Sequence, residues 1–201
     1  NIREIRLKEN KIKFPLVLKL LHPDLVHKTD VKAVRLPIYR KTELYQAAKE
    51  LEQIAKDKNL DGYSLEIQPF IFQKLELILG INKDQDQYQK IGKETILLNK
   101  GFGHSMVLGA GGIYTEVLDD SALKLLPVNR TDALEILKSI KIGKVLFGAR
   151  RQHYNYSALL KMMVNLSKLI ERNSNIISID INPVFITESD AYAVDVKIFP
   201  D

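Results

Sequence analysis

Alternating apolar and polar residues predict a β-hairpin near the end of the chain. The alternation runs from Ile179 to Ile186 and again from Ala191 to Ile198, and four polar residues join the two runs. Pairing Ile186 with Ala191 gathers the apolar residues on one face, and a slip of one residue would mix the two faces. The apolar pairs in this register are Ile179 with Ile198, Ile181 with Val196, and Phe185 with Tyr192.

The same register brings polar residues together on the other face of the hairpin. Asp180 then lies opposite Lys197, and Asn182 lies opposite Asp195. Directly opposed residues have Cβ atoms about 4.5–5.5 Å apart, so an amide oxygen and a carboxylate can share one small cation. A few oxygen ligands of this kind suit Mg²⁺, which keeps several waters and binds substrate phosphates. An ordinary edge hairpin with a solvated polar face is the alternative.

Earlier in the chain, the pattern predicts a strand–strand–helix–strand unit. Phe14–Leu21 is apolar except for Lys19, and a second short strand covers Ala33–Pro37. An i, i+3/i+4 apolar stripe predicts a helix over Glu43–Lys56. A third strand, Tyr63–Gln68, is expected to stop at Pro69.

A second unit follows, rich in short strands. It begins with a strand over Lys74–Ile81, and the polar segment Asp84–Lys93 is expected to be an exposed loop. Asn129 and Asp132 together resemble the start of one helix, and a second helix is expected to cover Ser157–Arg172. The remaining predicted strands are Thr95–Leu98, Ser105–Leu108, Ile113–Leu118 and Ala122–Leu126.

Composition excludes several classes of protein. The chain of 201 residues carries a net charge of +5 and no cysteine, so disulfides, thiolate metal sites and a cysteine nucleophile are excluded. No apolar run is long enough to span a membrane, and basic residues are interleaved with acidic ones, so neither a membrane nor a nucleic acid is an expected partner. A cytoplasmic location is favoured. The basic opening segment, residues 1–13, is interpreted as a linker from a longer protein.

Three features could carry chemistry. Lys19 is the one charge in an apolar strand, so its ammonium either extends to solvent or meets an anion. His27, with Asp24 and Asp30 nearby, could attack a phosphoryl group or be an inert loop residue. The Gly109–Gly112 turn could let its backbone approach phosphates or could simply join two strands tightly.

Taken together, several motifs stand in a recognisable order. They are Phe14–Lys19, His22–Val31, Glu76–Gly80, Phe102–Val117, Gly148–Arg150, Asp180–Pro183 and Val194–Asp195. The chain resembles the ATP-grasp, β-subunit-like part of NDP-forming acyl-CoA synthetases, relatives of succinyl-CoA synthetase. The resemblance implies an α+β / α/β ATP-grasp fold with two lobes, residues 14–70 and 71–201. Each lobe would have a mainly antiparallel sheet packed by helices, with ATP or ADP and Mg²⁺ in the cleft between them.

The resemblance also implies roles for individual residues. Lys19 would contact the nucleotide phosphates, Glu76 would contact ribose, and Asn182 and Asp195 would hold Mg²⁺. The backbone of a hinge segment would read adenine, and its residues are Gln68, Pro69 and Phe70.

The chemistry that the resemblance implies is a phosphoryl relay. His27 would carry a phosphoryl group between ATP and a phosphohistidine on a CoA-binding and CoA-ligase domain or subunit, and Asp180 would support that phosphohistidine. The whole protein, expected to be an oligomer, would convert a small carboxylic acid, CoA and ATP to acyl-CoA, ADP and phosphate. In physical terms, the protein supplies positioning and charge neutralisation.

The chain also departs from the family pattern. Lys32 and Ala33 replace two glycines, Pro69 replaces a hinge glutamate, and Phe147 and Arg151 interrupt an arginine–glycine motif. Side chains in place of glycines could obstruct a nucleotide. The alternative hypothesis is therefore a degenerate, non-catalytic ATP-grasp module with a regulatory or assembly role in a protein lysine acetyltransferase.

Overall fold

The chain forms two compact units, Asn1–Phe72 and Gln73–Asp201. The computed structural model describes residues 12–25, 33–72, 75–91, 94–112, 120–148 and 153–201. Most of the segment predicted as a linker, residues 1–11, lies outside the described residues, so that prediction is untested. Among the described residues, no helix is both long and apolar enough to cross a membrane.

The first unit is a three-stranded antiparallel sheet with one helix. Its strands are β1 (Leu16–Leu21), β2 (Val34–Ile38) and β3 (Ser64–Pro69), and the helix is α1 (Lys41–Asp57). The sheet order is β2-β1-β3. The predicted strand–strand–helix–strand order is confirmed, with small shifts at the ends of each element.

The core of this unit follows from two periodicities. Alternate residues of β1, Leu16, Leu18 and Leu20, are fully buried on one face of the sheet. Helix α1 buries a stripe that includes Leu44 and Leu51, and the two sets belong to the same apolar cluster. Burying each leucine contributes about 1.5–3 kcal/mol.

The second unit is built on a six-stranded antiparallel sheet. The order is β10-β9-β4-β7-β8, and β11 also pairs with β9. The strands are β4 (Leu75–Asp84), β7 (Gly103–Ala110), β8 (Ser121–Leu125), β9 (Ile176–Ile186), β10 (Ala191–Ala193) and β11 (Val196–Pro200). A separate two-stranded ribbon contains β5 (Gln87–Ile91) and β6 (Glu94–Asn99).

Helices α2 (Arg130–Ser139), α3 (Gly143–Leu146) and α4 (Tyr156–Arg172) complete this unit. Helix α2 begins at its predicted cap, Asn129, and α4 begins at Tyr156, one residue before its predicted start. The Asn129 side chain accepts bonds from backbone N–H groups in the first turn of α2. The Asp132 carboxylate accepts a bond from the Asn129 N–H, which completes a capping box.

The exposed loop predicted over residues 84–93 is wrong. β4 continues through Asp84, and β5 pairs with β6, so a long hairpin connects β4 to β7. The segment is polar, but strand pairing uses backbone groups that every residue other than proline carries. The predicted strand over Thr95–Leu98 is confirmed within β6. The predicted strand at Ile113–Leu118 lies outside the described residues.

Candidate functional site

The C-terminal hairpin has the predicted register. Asp180 pairs with Lys197, and Ile181 pairs with Val196. The Asn182 backbone N–H donates to the Asp195 carbonyl at 3.0 Å, so this amide and this carboxylate belong to directly opposed residues. The predicted apolar face is interrupted on both strands. On β9, Ile179 and Ile181 are buried as predicted, but beyond them Val184 and Ile186 are the buried residues and Phe185 is only half-buried. On the edge strand, Val196 is 45% exposed.

A β-bulge lies at the position of the predicted metal ligands. Leu77 of β4 pairs with Val184, but Leu79 pairs with Ile181, so β9 carries one extra residue between Ile181 and Val184. The extra residue belongs to the Asn182–Pro183 segment. Bulges commonly redirect side chains next to functional sites. Here the bulge lies beside the pair formed by Asn182 and Asp195.

The donor set fits a hard cation that keeps part of its water shell. Asn182 and Asp195 offer amide and carboxylate oxygens, which Mg²⁺ accepts, with waters and phosphate oxygens able to complete six positions. Among the described residues, no group of three or more His, Cys, Asp or Glu side chains could hold a metal ion. A site in which Asn182 and Asp195 are the side-chain ligands is compatible with that finding.

Lys19 lies in the middle of β1 and is only 7% exposed. It is opposite Glu66 on β3 and opposite Val34 on β2. The burial argues against a lysine that extends its ammonium into solvent. The paired residue on β3, Glu66, has a half-buried side chain.

The predicted hinge segment is held as the end of an edge strand. Gln68 pairs with Val17, and the Phe70 N–H donates to the Pro15 carbonyl at 3.1 Å. In an antiparallel ladder, a residue that lies between two hydrogen-bonded positions directs its own N–H and C=O away from the neighbouring strand. Pro69 occupies that place at the outer edge of the sheet and has no N–H, so it offers an acceptor only.

Glu76 lies near the start of β4, where the end of β7 comes close to it. The Gly111 N–H donates to the Glu76 carbonyl at 2.9 Å. A Cβ on Gly112 would lie 2.6 Å from Oε2 of Glu76. The room that this glycine leaves is therefore taken by the Glu76 carboxylate.

Asp120 is a structural carboxylate that the sequence did not identify. Its Oδ1 and Oδ2 accept bonds from the backbone N–H groups of Lys141 and Ile142, each at 2.7 Å. Its own carbonyl accepts from the Ala110 N–H at 3.0 Å. Asp120 thus ties the end of β7, next to the glycine turn, to the connection between α2 and α3.

Predicted catalytic residues fall partly outside the described residues. His27 lies in the segment 26–32, which the structure does not describe. Two other histidines make structural contacts: His22 Nε2 is 2.9 Å from the Asp61 carbonyl, and His104 Nε2 is 2.7 Å from the Ile176 carbonyl.

Two of the departures from the family pattern have packing roles. Ala33 is fully buried in the core of the first unit, and its carbonyl accepts a bond from the Leu20 N–H at 2.8 Å. Phe147 contacts Tyr156 edge to face, with ring centroids 5.2 Å apart. The methyl group of Ala33 therefore packs inside the core. Lys32 and Arg151 lie outside the described residues.

Comparison with known proteins gives the family. The model of the ATP-grasp domain matches residues 3–199. The chain belongs to the ATP-grasp family. Its described strands and helices agree with the fold class expected from the sequence.

Relatives of this ATP-grasp chain include acid–CoA ligases. It is 32% identical over 188 residues to acetate–CoA ligase [ADP-forming] II of Archaeoglobus fulgidus, covering 94% of this chain and 25% of that protein. It is 29% identical over 194 residues to the β subunit of acetate–CoA ligase [ADP-forming] II of Pyrococcus furiosus, covering 94% and 76%. The ATP-grasp chain thus spans a quarter of the Archaeoglobus protein and about three quarters of the Pyrococcus β subunit.

A solved structure supports the same fold. The dinucleotide-forming acetyl-coenzyme A synthetase 1 of Ca. Korarchaeum cryptofilum matches with a TM-score of 0.77 and 26% identity, over 100% of this chain and 83% of that one. That protein was solved with coenzyme A and Mg-AMPPCP, with a phosphohistidine segment pointing towards its nucleotide binding site. These relatives agree with the ligase hypothesis and give no support to the acetyltransferase-linked alternative.

Proposed function

We propose that this chain is the nucleotide-binding ATP-grasp part of an ADP-forming acid–CoA ligase. The observation that carries the proposal is the opposed pair of Asn182 and Asp195 beside a bulge in β9. This arrangement places an amide and a carboxylate on directly opposed residues, in a chain whose relatives include an ADP-forming ligase β subunit. The nucleotide is ATP or ADP, and the metal is Mg²⁺.

The first unit contributes contacts to the nucleotide. Lys19 neutralises phosphate charge, and its burial strengthens that interaction because few waters compete with it. Gln68, Pro69 and Phe70 form the base-reading segment. Since the Phe70 N–H is already bonded to Pro15, the Pro69 carbonyl is the group that accepts from an adenine amino group. Guanine carries a carbonyl oxygen where adenine has its amino group, and that oxygen would face the Pro69 carbonyl oxygen. Two acceptors cannot form a hydrogen bond, so we expect ATP to be preferred to GTP.

The second unit contributes the remaining contacts. Asn182 and Asp195 hold Mg²⁺, which would neutralise charge on the phosphate oxygens. Glu76 accepts bonds from the ribose hydroxyls through its carboxylate, whose position against Gly112 is well defined. In this assignment the protein positions the phosphates for transfer and compensates their charge.

His27 is proposed as the relay nucleophile. A neutral imidazole nitrogen attacks the γ-phosphorus, a P–N bond forms, the bond to the β,γ-bridging oxygen breaks, and ADP leaves. The phosphoryl group then passes to a histidine on a CoA-binding and CoA-ligase domain or subunit. The P–N bond to His27 breaks as a P–N bond to that histidine forms, and Asp180 supports the resulting phosphohistidine. That partner completes acyl-CoA formation from a small carboxylic acid and CoA.

Calorimetry with ATP and Mg²⁺ tests the nucleotide assignment. We expect Mg²⁺-dependent binding, and we expect Lys19→Met to weaken it at least about tenfold, the effect of losing one charge-assisted contact. Lys83→Met is the matched control, because Lys83 also lies on a strand but its ammonium donates to the Ser174 carbonyl. Equal affinities for the two variants would remove Lys19 from the site.

The relay and the metal are tested separately. With γ-labelled ATP, we expect label on His27 that His27→Ala abolishes. Asp195→Asn is expected to raise the Mg²⁺ concentration needed for ATP binding while metal-free binding stays unchanged. An unchanged Mg²⁺ requirement in that variant would contradict the assignment of Asp195 as a ligand.

A further inference from the structure

The Glu76 carboxylate occupies the space that a side chain on Gly112 would need. Gly112 has φ of +60°, and a Cβ on it would lie 2.6 Å from Glu76 Oε2 and 3.3 Å from Glu76 Cδ. Real Cβ atoms essentially never come within 3.0 Å of such an atom, so any side chain at this position would require the carboxylate to move. The left-handed backbone conformation of Gly112 adds a conformational energy cost for any residue other than glycine.

The preceding glycine contacts a different part of the same residue. The Gly111 N–H donates to the Glu76 carbonyl at 2.9 Å, and a Cβ on Gly111 would lie 2.9 Å from the Glu76 backbone carbon. Substitution of Gly111 would thus strain paired backbone, whereas substitution of Gly112 would meet the far end of a flexible side chain. Substitution of Gly111 is therefore expected to disturb the fold, whereas substitution of Gly112 is expected to displace only the Glu76 carboxylate.

From this geometry we infer that Gly112 is a positioning residue that sets where the Glu76 carboxylate points. The glycine leaves a space that the carboxylate fills, and the adjacent bond from Gly111 to the Glu76 backbone holds the two segments together. The inference rests on the proposed function for its consequence, since Glu76 is assigned to the ribose hydroxyls. Gly112 then acts on nucleotide binding through Glu76, without touching the nucleotide itself.

A matched control exists on the same sheet. Gly103, at the start of β7, has φ of +83°, and a Cβ on it would have nothing within 4 Å. Gly103→Ala therefore reproduces the backbone strain of Gly112→Ala without displacing a carboxylate. The difference between the two variants isolates the contact with Glu76.

The test is a double-mutant cycle read by calorimetry with Mg-ATP. Gly112→Ala is expected to weaken binding about tenfold, close to the effect of Glu76→Ala, while Gly103→Ala binds like the parent chain. Combining Gly112→Ala with Glu76→Ala is expected to give no further loss. With 2′,3′-dideoxy-ATP, which lacks the ribose hydroxyls, the parent chain and Gly112→Ala are expected to bind equally.

Other outcomes contradict the inference. Parent-like ATP binding by Gly112→Ala, or a loss that adds fully to that of Glu76→Ala, would overturn it. A second readout is independent of nucleotide: the ¹³C chemical shift of the Glu76 carboxyl carbon should change in Gly112→Ala and stay unchanged in Gly103→Ala. If the parent chain binds no ATP, the proposed function fails, and this shift still decides the inference; an unchanged shift in Gly112→Ala would overturn it.

Discussion

Asp120 offers a stability prediction that the structure makes quantitative. Its two carboxylate oxygens accept from the consecutive N–H groups of Lys141 and Ile142, each at 2.7 Å. Asp120→Asn keeps the shape of the side chain but replaces one acceptor with an NH₂ donor. One backbone N–H then faces another donor, and the other bond loses its charge.

The expected loss follows from these two changes. A hydrogen bond to a charged group contributes about 1.5–3 kcal/mol, and a neutral one about 0.5–1.5 kcal/mol. Because Asp120 is only half-buried, water can replace part of the lost bonding, and the lower part of the range applies. We therefore expect Asp120→Asn to lower the free energy of unfolding of the second unit by about 2 kcal/mol.

Urea denaturation followed by circular dichroism measures this loss. Asp84→Asn is the control, because Asp84 is exposed and its carboxylate accepts one backbone bond, from Phe102 at 3.0 Å. The control is expected to lose less than about 1 kcal/mol. Equal shifts in the two variants would show that the pair of bonds at Asp120 is not worth more than one exposed bond, and the reasoning would fail.

Two further predictions concern the helices of the second unit. Ser167 is buried, and its hydroxyl oxygen accepts a bond from the Val128 N–H at 2.9 Å. Ser167→Ala should therefore lower the free energy of unfolding, measured by urea denaturation, by about 1–3 kcal/mol. Ser139→Ala, at an exposed position, should lower it by less, and equal losses in the two variants would contradict the prediction. The hydrogen bond from Lys124 holds the pKa of Asp132 below its usual value near 4. Ionised Asp132 therefore stabilises the fold at pH values above its usual pKa. This stabilisation is lost as the pH falls through the lowered pKa. Asp132→Asn should flatten the decrease in melting temperature between about pH 5 and pH 2; an unchanged slope would refute the coupling.

Local patterns predicted the elements whose periodicity is strict. The stripe of α1 and the capping residues of α2 depend on neighbours three or four positions away, so the sequence contains them directly. The register of the C-terminal hairpin was also predictable, because a slip of one residue would have mixed its apolar and polar faces. The opposed positions of Asn182 and Asp195 follow from that register.

Features that depend on distant segments were not predictable in this way. The bulge in β9 could not be predicted from the hairpin, because β9 pairs with β10 and with the start of β11 in one unbroken register. The extra residue is present only in the pairing of β9 with β4. Strand β5 was missed because its pairing with β6 comes from backbone groups and its own side-chain composition is mostly polar. Exposure of Val196 on the edge strand could not be inferred either, since alternation predicts which residues share a face but not whether another layer covers it.

The glycine turn shows where the limit lies. The sequence left two interpretations of Gly109–Gly112, a phosphate-binding backbone and a tight turn between strands. The structure adds a third feature, because the missing side chain of Gly112 gives space to a carboxylate from β4. A sequence pattern contains information about the side chains that are present. Which group fills the space beside a glycine depends on the distant segment that the fold places there. The ribose-binding role proposed for Glu76 and the turn therefore have to be tested together, and the cycle of Gly112 and Glu76 variants does so.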